Sequence, residues 1–367
     1  MGQMTGLRTV PPRTVACVLL ILAALLLVPL GQPASAQETA PPKPMRRVVV
    51  VATNDLRGQL LPCAYCGDIT FGGLPRRAAF LQTLRASAGE TLAPMPFILI
   101  ENGDLLAPGQ EFPDLHAELL VSALNRMGYD LFSIGAVDLR GGPNHLRKLA
   151  DMAEFPLLGA NVNPQVADSQ LQPLAFKTMD GVRVAFIGWI DPESIIRTAS
   201  SPTLPDGAAL QELVAEARTE ADIVILSAHM RLSRIKALLR VVPGIDLAIL
   251  SHHRQTYHGR IEGGPLVISP GWKGEKVAVI QLSWDPASKR VAAMDYALHT
   301  LDRTIADDPG MLQTISAFNA ELDGARQGEK TRQAMVKDMV ENARHMSPEE
   351  FFRAYGLSLD NTPPMQR

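Results

Sequence analysis

Between residues 47 and 250 a short, β-branched apolar run recurs, ending each time in polar residues before a stretch with helical spacing. The run 47–52 leads into Asn54 and Asp55, and the run 97–101 leads into Asn102, Gly103 and Asp104; similar runs fall at 131–134, 157–159, 222–227 and 246–250. Apolar runs of this length without polar alternation mark strands covered on both faces. The stretches between them repeat apolar residues three and four apart, as in Leu74, Ala78, Leu81 and Leu84, with arginines expected on the opposite face. Helices are therefore predicted at 74–86, 115–127, 144–152, 208–221 and 233–241. Asp180-Gly181 suits a tight hairpin with 182–190 as its second arm, because both turn positions require positive φ. Residues 265–298 read as strand, with a second hairpin between Leu282 and Val291. The predicted fold class is α/β, a layered sandwich with mixed sheets whose polar residues gather at strand C-termini, where such folds place their sites.

The N-terminal 36 residues have another character. Arg8 and Arg13 precede an apolar run from Ala16 to Leu30, then Ala34-Ser35-Ala36, the layout of a secretory signal peptide cleaved before Gln37. The run is about 15 residues, short of the roughly 20 needed to cross a bilayer, so a retained anchor is the weaker reading. Residues 37–45 read as a disordered leader, and about 330 residues would remain, enough for one large domain and an appendage. Cleavage removes two arginines and no acids, taking the net charge from -3 to about -5 with no basic block, which argues against nucleic acid and anionic membranes as partners. Cys63 and Cys66 remain, spaced C-x-x-C in a compartment where thiols oxidise, and a local disulfide is the expectation. A redox role for that pair ranks below a loop staple.

Several blocks in this order resemble the metallophosphatase domain of the 5'-nucleotidase family, within the calcineurin-like phosphoesterases. Thr53-Asn54-Asp55-Leu56-Arg57-Gly58 is similar to that family's T-N-D-x-H-G, Gly135-Ala136-Val137-Asp138 to G-N-H-E/D, and Ser251-His252-His253-Arg254 to G-H-x-H. Gly72-Gly73-Leu74, Gly103-Asp104, the Phe155 to Asn161 segment and His229 after its strand complete the set, which spans about residues 48–302. The resemblance implies a four-layer α/β/β/α sandwich over 46–303. It also implies two divalent metals holding a phosphate and activating water, with carboxylate and imidazole ligands at neighbouring strand ends. On that pattern Asp104 would bridge the metals, Asp55 would serve the first, and His229 and His252 the second.

The departures are grouped. Arg57 and Arg254 stand where the first metal's histidines would be, and a guanidinium cannot ligate a cation. Ala136 replaces an asparagine ligand and Val137 the catalytic histidine, so no catalytic residue is assigned. The first metal site is expected to be empty, with Arg57 and Arg254 compensating Asp55 and Asp104 by ion pairs or, together with Arg140, forming an anion pocket. Asp104, His229 and His252 would leave a three-ligand site for one divalent metal (Mn, Zn or Ca), or for none. His253 should point away from its neighbours, His145 and His258 read as surface residues, and Asp191 as a cap for the turn after its strand.

Residues 304–367 read as a helical extension, with Leu312, Ile315, Phe318 and Leu322 on one face and a strong helix start at Ser347-Pro348-Glu349-Glu350. The family this chain resembles has a separate C-terminal domain that grips the nucleoside, and no counterpart of it is expected in this segment. The leading functional expectation is a periplasmic or secreted, catalytically impaired homologue that binds a small anion, a phosphoester or a periplasmic protein. Its alternative is a one-metal phosphoesterase or nucleotidase using Asp104, His229 and His252.

Overall fold

The computed structural model describes residues 44–62, 70–87, 95–162, 170–194 and 207–355. The signal segment, most of the leader, Cys63, Cys66 and residues 356–367 lie outside them.

Twelve strands are described: β1 Arg46–Asn54, β2 Ile98–Asn102, β3 Leu131–Ser133, β4 Leu157–Leu158, β5 Leu174–Met179, β6 Val182–Ile190, β7 Ile223–His229, β8 Leu247–Ser251, β9 Tyr257–Arg260, β10 Leu266–Ser269, β11 Lys276–Asp285 and β12 Arg290–Thr300. The α-helices are α1 Leu74–Ala86, α2 Pro113–Met127, α3 Gly142–Met152, α4 Gly207–Glu220, α5 Leu232–Val241, α6 Pro309–Asn342 and α7 Pro348–Ala354. The strands form two mixed six-stranded sheets, ordered β12-β11-β1-β2-β3-β4 and β5-β6-β7-β8-β10-β9. In the first, β1 to β4 run parallel and β11 closes antiparallel on β1; in the second, β6, β7, β8 and β10 run parallel.

The two-residue period of a strand explains the layers. Along β1, Val48, Val50 and Ala52 meet Val184, Phe186, Ile225 and Ile249 of the opposite sheet, while Val49 and Val51 turn the other way, onto Leu74, Leu81, Leu120 and Leu124 of α1 and α2. On the far side, Ile187, Val224 and Leu226 pack on Leu210, Val214, Ile235 and Leu239 of α4 and α5. Helix, sheet, sheet and helix thus stack as an α/β/β/α sandwich. Asp180 and Gly181 have φ of 49° and 72°, the pair of left-handed positions that joins β5 to β6 in register from Met179 and Val182.

Three local readings are corrected. Arg76 and Arg77 of α1 are buried, not solvent-facing: Arg77 because Glu101 on β2 lies beneath the helix and accepts from its Nη1 at 2.8 Å, and Arg76 because it donates to Thr70 O at 2.8 Å and pairs with Asp307 at 3.5 Å. Tyr129 and Thr53 complete that enclosed network, and burial among them pushes the Tyr129 hydroxyl up to about 12. On α6 the buried face is Met311, Ile315, Phe318 and Leu322; Leu312 is exposed. Strand β7 runs two residues past Ser227 and carries His229 as its last residue. At the far end of the chain, Ser347 and Glu350 form the capping box that opens α7. Among the described residues no helix is long and apolar enough to cross a membrane.

Candidate metal centre

The parallel strands of both sheets end on one rim, and their C-terminal residues bond across the gap between the sheets. Asn102 Nδ2 at the end of β2 donates to Ile249 O (2.9 Å), and Asn54 Nδ2 at the end of β1 donates to Gly271 O (2.7 Å). His252 N–H, just past β8, donates to Asp55 Oδ2 at 2.7 Å. The loops after β1 and β2 are zipped together by Arg57 N–H to Asp104 O (2.9 Å) and Gly58 N–H to Leu105 O (2.7 Å). Asp55, Arg57, Asp104 and His252 have φ between 43° and 60°. Aspartate and histidine visit this left-handed region more readily than most residues, but arginine does not, and a strained backbone persists only where its surroundings hold it.

Two glycines of the motifs are fixed by the space available. A Cβ on Gly103 would strike the His229 ring and Ser251 Oγ, and one on Gly135 would strike the amide and carboxylate of Asp104. Either addition would drive apart the groups that converge here.

Those groups are Asp104, His229 and His252. One ligand atom from each lies within 4.8 Å of the others, and Asp104 and His229 are fully enclosed. Ser251 Oγ donates to Asn102 Oδ1 at 3.3 Å, so its oxygen takes the Nδ1 proton of His229 at 2.9 Å, which leaves the lone pair on His229 Nε2. That Nε2 and His252 Nδ1 are buried and have no hydrogen-bond partner. Burial, aided by the positive charge of Arg57 and set against Asp104, pushes the His229 imidazole down to about 4, and burial likewise lowers His252. Two neutral imidazoles with unused lone pairs beside a carboxylate are a donor set suited to a single divalent cation.

The other half of the site is occupied by protein charge. Arg57 Nη2 lies 2.8 Å from Asp104 Oδ2 and 3.8 Å from Asp55 Oδ1. Burial, then repulsion from Asp104, holds the Asp55 carboxyl well above the usual carboxylate range, and Arg57 works against both. Arg254 has no part in this compensation. Its guanidinium lies 5.0 Å from the Trp272 ring centroid and makes no ion pair among the described residues. The expected symmetric pair of arginines is therefore one arginine. The indole offers a flat partner to a planar cation that the carboxylates, already held by Arg57 and backbone amides, do not need.

Val137 enters through its backbone, its N–H donating to Asp104 Oδ1 at 2.8 Å, and Ala136 is buried beside it. Asp138 accepts from the amides of Leu105 (3.0 Å) and Gly135 (2.8 Å), binding the two loops together; burial and then Asp104 push it up to about 8. Asp191 caps its turn through Glu193 N–H at 3.1 Å and pairs with Arg234 at 2.9 Å. His253 faces Tyr257, away from the cluster, and His258 is exposed and bonded to the Tyr296 hydroxyl at 2.6 Å. His145, expected at the surface, has a largely covered side chain paired with Asp114 at 3.3 Å. Ser251 and Asn102 are not among the site residues read from the sequence; the polar pair closing two buried strands on the same rim is the signal that points to them.

No protein-family model matches the sequence. The chain is 24% identical over 324 residues to the trifunctional nucleotide phosphoesterase protein YfkN of Bacillus subtilis, covering 73% of this chain and 21% of that protein. It is 25% identical over 335 residues to a 2',3'-cyclic-nucleotide 2'-phosphodiesterase/3'-nucleotidase of Yersinia enterocolitica, covering 76% and 50%. The chain thus spans about a fifth to a half of the length of these relatives. Among solved structures, a 5'-nucleotidase precursor from Thermus thermophilus superposes with a TM-score of 0.67 at 18% identity, over 77% of this chain and 60% of that one. The homologues and structural neighbours of this chain are 5'-nucleotidase-type, calcineurin-like metallophosphoesterases.

Proposed function

We propose that this chain is an exported phosphate- or phosphoester-binding protein built on the 5'-nucleotidase-type fold, with one divalent cation at Asp104, His229 and His252 and without two-metal hydrolysis. The observation that carries the reading is Arg57 seated on Asp104 and Asp55, where a guanidinium excludes a second cation while supplying fixed positive charge. Two imidazole nitrogens in the donor set favour zinc or manganese over calcium, which takes six to eight oxygen ligands. When bound, the cation would supply Lewis-acid charge to a phosphoryl oxygen. The protein's own part is to hold His229 through Ser251, to orient Asp104 through the Val137 amide, and to present Arg57 to an anion. The Val137 side chain has no proton to give a leaving oxygen, which supports binding over turnover. Export is supported by the apolar run and Ala34-Ser35-Ala36, and N-terminal sequencing of the protein recovered from outside the cytoplasm should begin at Gln37.

The test is elemental analysis of the purified protein with phosphomonoesterase assays in added zinc or manganese and a His252→Ala control. About one ion per chain, lost in the control, with phosphate binding and no turnover is expected. Two ions per chain would sink the reading. One ion with turnover that the control abolishes would replace it with a one-metal hydrolase.

A further inference from the structure

Beside the metal centre, and separated from it by a single residue, lies a cavity of about 320 Å³. Leu106, Ala107 and Val137 are among its apolar walls, and its polar groups are Gln110, Asp114, Arg140 and His145. Val137 belongs to both places: its amide holds Asp104 Oδ1, and the residue lines the cavity. Leu106 follows Asp104 by two positions on the same loop. The buried Asp138 fastens that loop to the one carrying Val137 through the amides of Leu105 and Gly135.

The chemistry of the lining is uneven. The imidazole of His145 is engaged by Asp114 at 3.3 Å. The Arg140 guanidinium stands exposed and makes no ion pair among the described residues. A guanidinium without an ion pair in the lining of a largely apolar cavity suits a flat ring, on whose face it can stack. The volume lies at the lower end of the range for small-molecule sites, room for one ring system and not for an extended chain.

We propose that this cavity binds the organic portion of a phosphate monoester whose alcohol is a flat, mostly apolar ring, with the phosphate on the Arg57 side of Val137. The proposal rests on the anion-binding reading of the metal centre and names the class of ligand that the centre selects. Inorganic phosphate would use the centre alone; an aryl phosphate would use the centre and the cavity together.

The experiment is calorimetric titration of the zinc-loaded full chain with inorganic phosphate and with phenyl phosphate, repeated for Ala107→Trp, which fills the cavity, and Arg140→Ala. The wild type should prefer phenyl phosphate by about tenfold or more, the gain from removing one ring from water. Ala107→Trp should abolish that preference while inorganic phosphate still binds, which also demonstrates a folded variant, and Arg140→Ala should reduce it about threefold to tenfold. Equal affinity for the two probes, or a preference that survives Ala107→Trp, overturns the cavity assignment and leaves the anion site standing. Failure of both probes to bind the wild type overturns the anion site and the cavity assignment together.

Discussion

Arg57 decides more about this site than any other side chain. It lies against two carboxylates that are each 1% exposed, and removing it leaves Asp104 buried without its 2.8 Å partner and pushes the Asp55 carboxyl still higher. Breaking a buried pair from one side costs about 3–5 kcal/mol; because the arginine itself is 19% exposed, Arg57→Ala should cost roughly 2–4 kcal/mol in urea unfolding. Added manganese should recover part of the loss, because a cation can take the vacated position. Arg57→His goes further by restoring an imidazole there, and elemental analysis should then count more than one ion per chain. Ser251 acts at one remove. Ser251→Ala deletes the group that fixes the His229 tautomer, and zinc affinity should fall about 10- to 100-fold, alongside a loss of about 1–3 kcal/mol in unfolding from the buried groups left unsatisfied. A Ser251→Thr variant that keeps the hydroxyl should keep most of the affinity.

The elements divide into those that position the site and those that cover the sandwich. Helix α6 belongs to the second kind: its first turns bury Met311, Ile315, Phe318 and Leu322, and Phe318 packs edge-on against His116 at 4.9 Å. Phe318→Ala should cost about 3–4 kcal/mol in chemical unfolding, the range for emptying a buried aromatic position, with phosphate binding at the rim unaffected. Legibility from sequence follows the same division. Strands with continuous apolar runs, helices with a clean 3.6-residue period and the Asp180-Gly181 turn can be read directly, because each is dictated by its own residues. Strand β9 cannot: Tyr257, His258, Gly259 and Arg260 alternate between half-buried and exposed at a sheet edge and present no apolar run. Arg77 escapes for a related reason. Its burial depends on Glu101, 24 residues later on another element, and helical periodicity carries no information about that partner.

At the scale of the whole molecule, the site is a seam between two sheets. The ordered motif blocks mark the strand ends that meet, but which arginine reaches the carboxylates follows from three-dimensional placement alone, so Arg57 and Arg254 look equivalent in the sequence and are not. Asp104 comes from the first sheet, and His229 and His252 come from the second. The two sheets are joined across the gap by the side-chain amides of Asn54 and Asn102, which donate to backbone carbonyls, and by the His252 N–H, which donates to Asp55. A cation held by all three side chains would bind the sandwich only when both sheets are docked, so its binding energy is added to global stability and not to a local loop. At a free zinc concentration about 100 times the dissociation constant, the linkage amounts to about 2.7 kcal/mol, which for a chain of this size raises the melting temperature by roughly 5 °C. The full chain should therefore melt in a single transition that moves upward with zinc and returns on adding a chelator, whereas His252→Ala should show no shift. A zinc-dependent shift that persists in His252→Ala would place the ion elsewhere. A transition that splits under zinc would mean that the two sheets do not unfold as one unit, and the three-ligand centre would then have lost its role as the clasp between them.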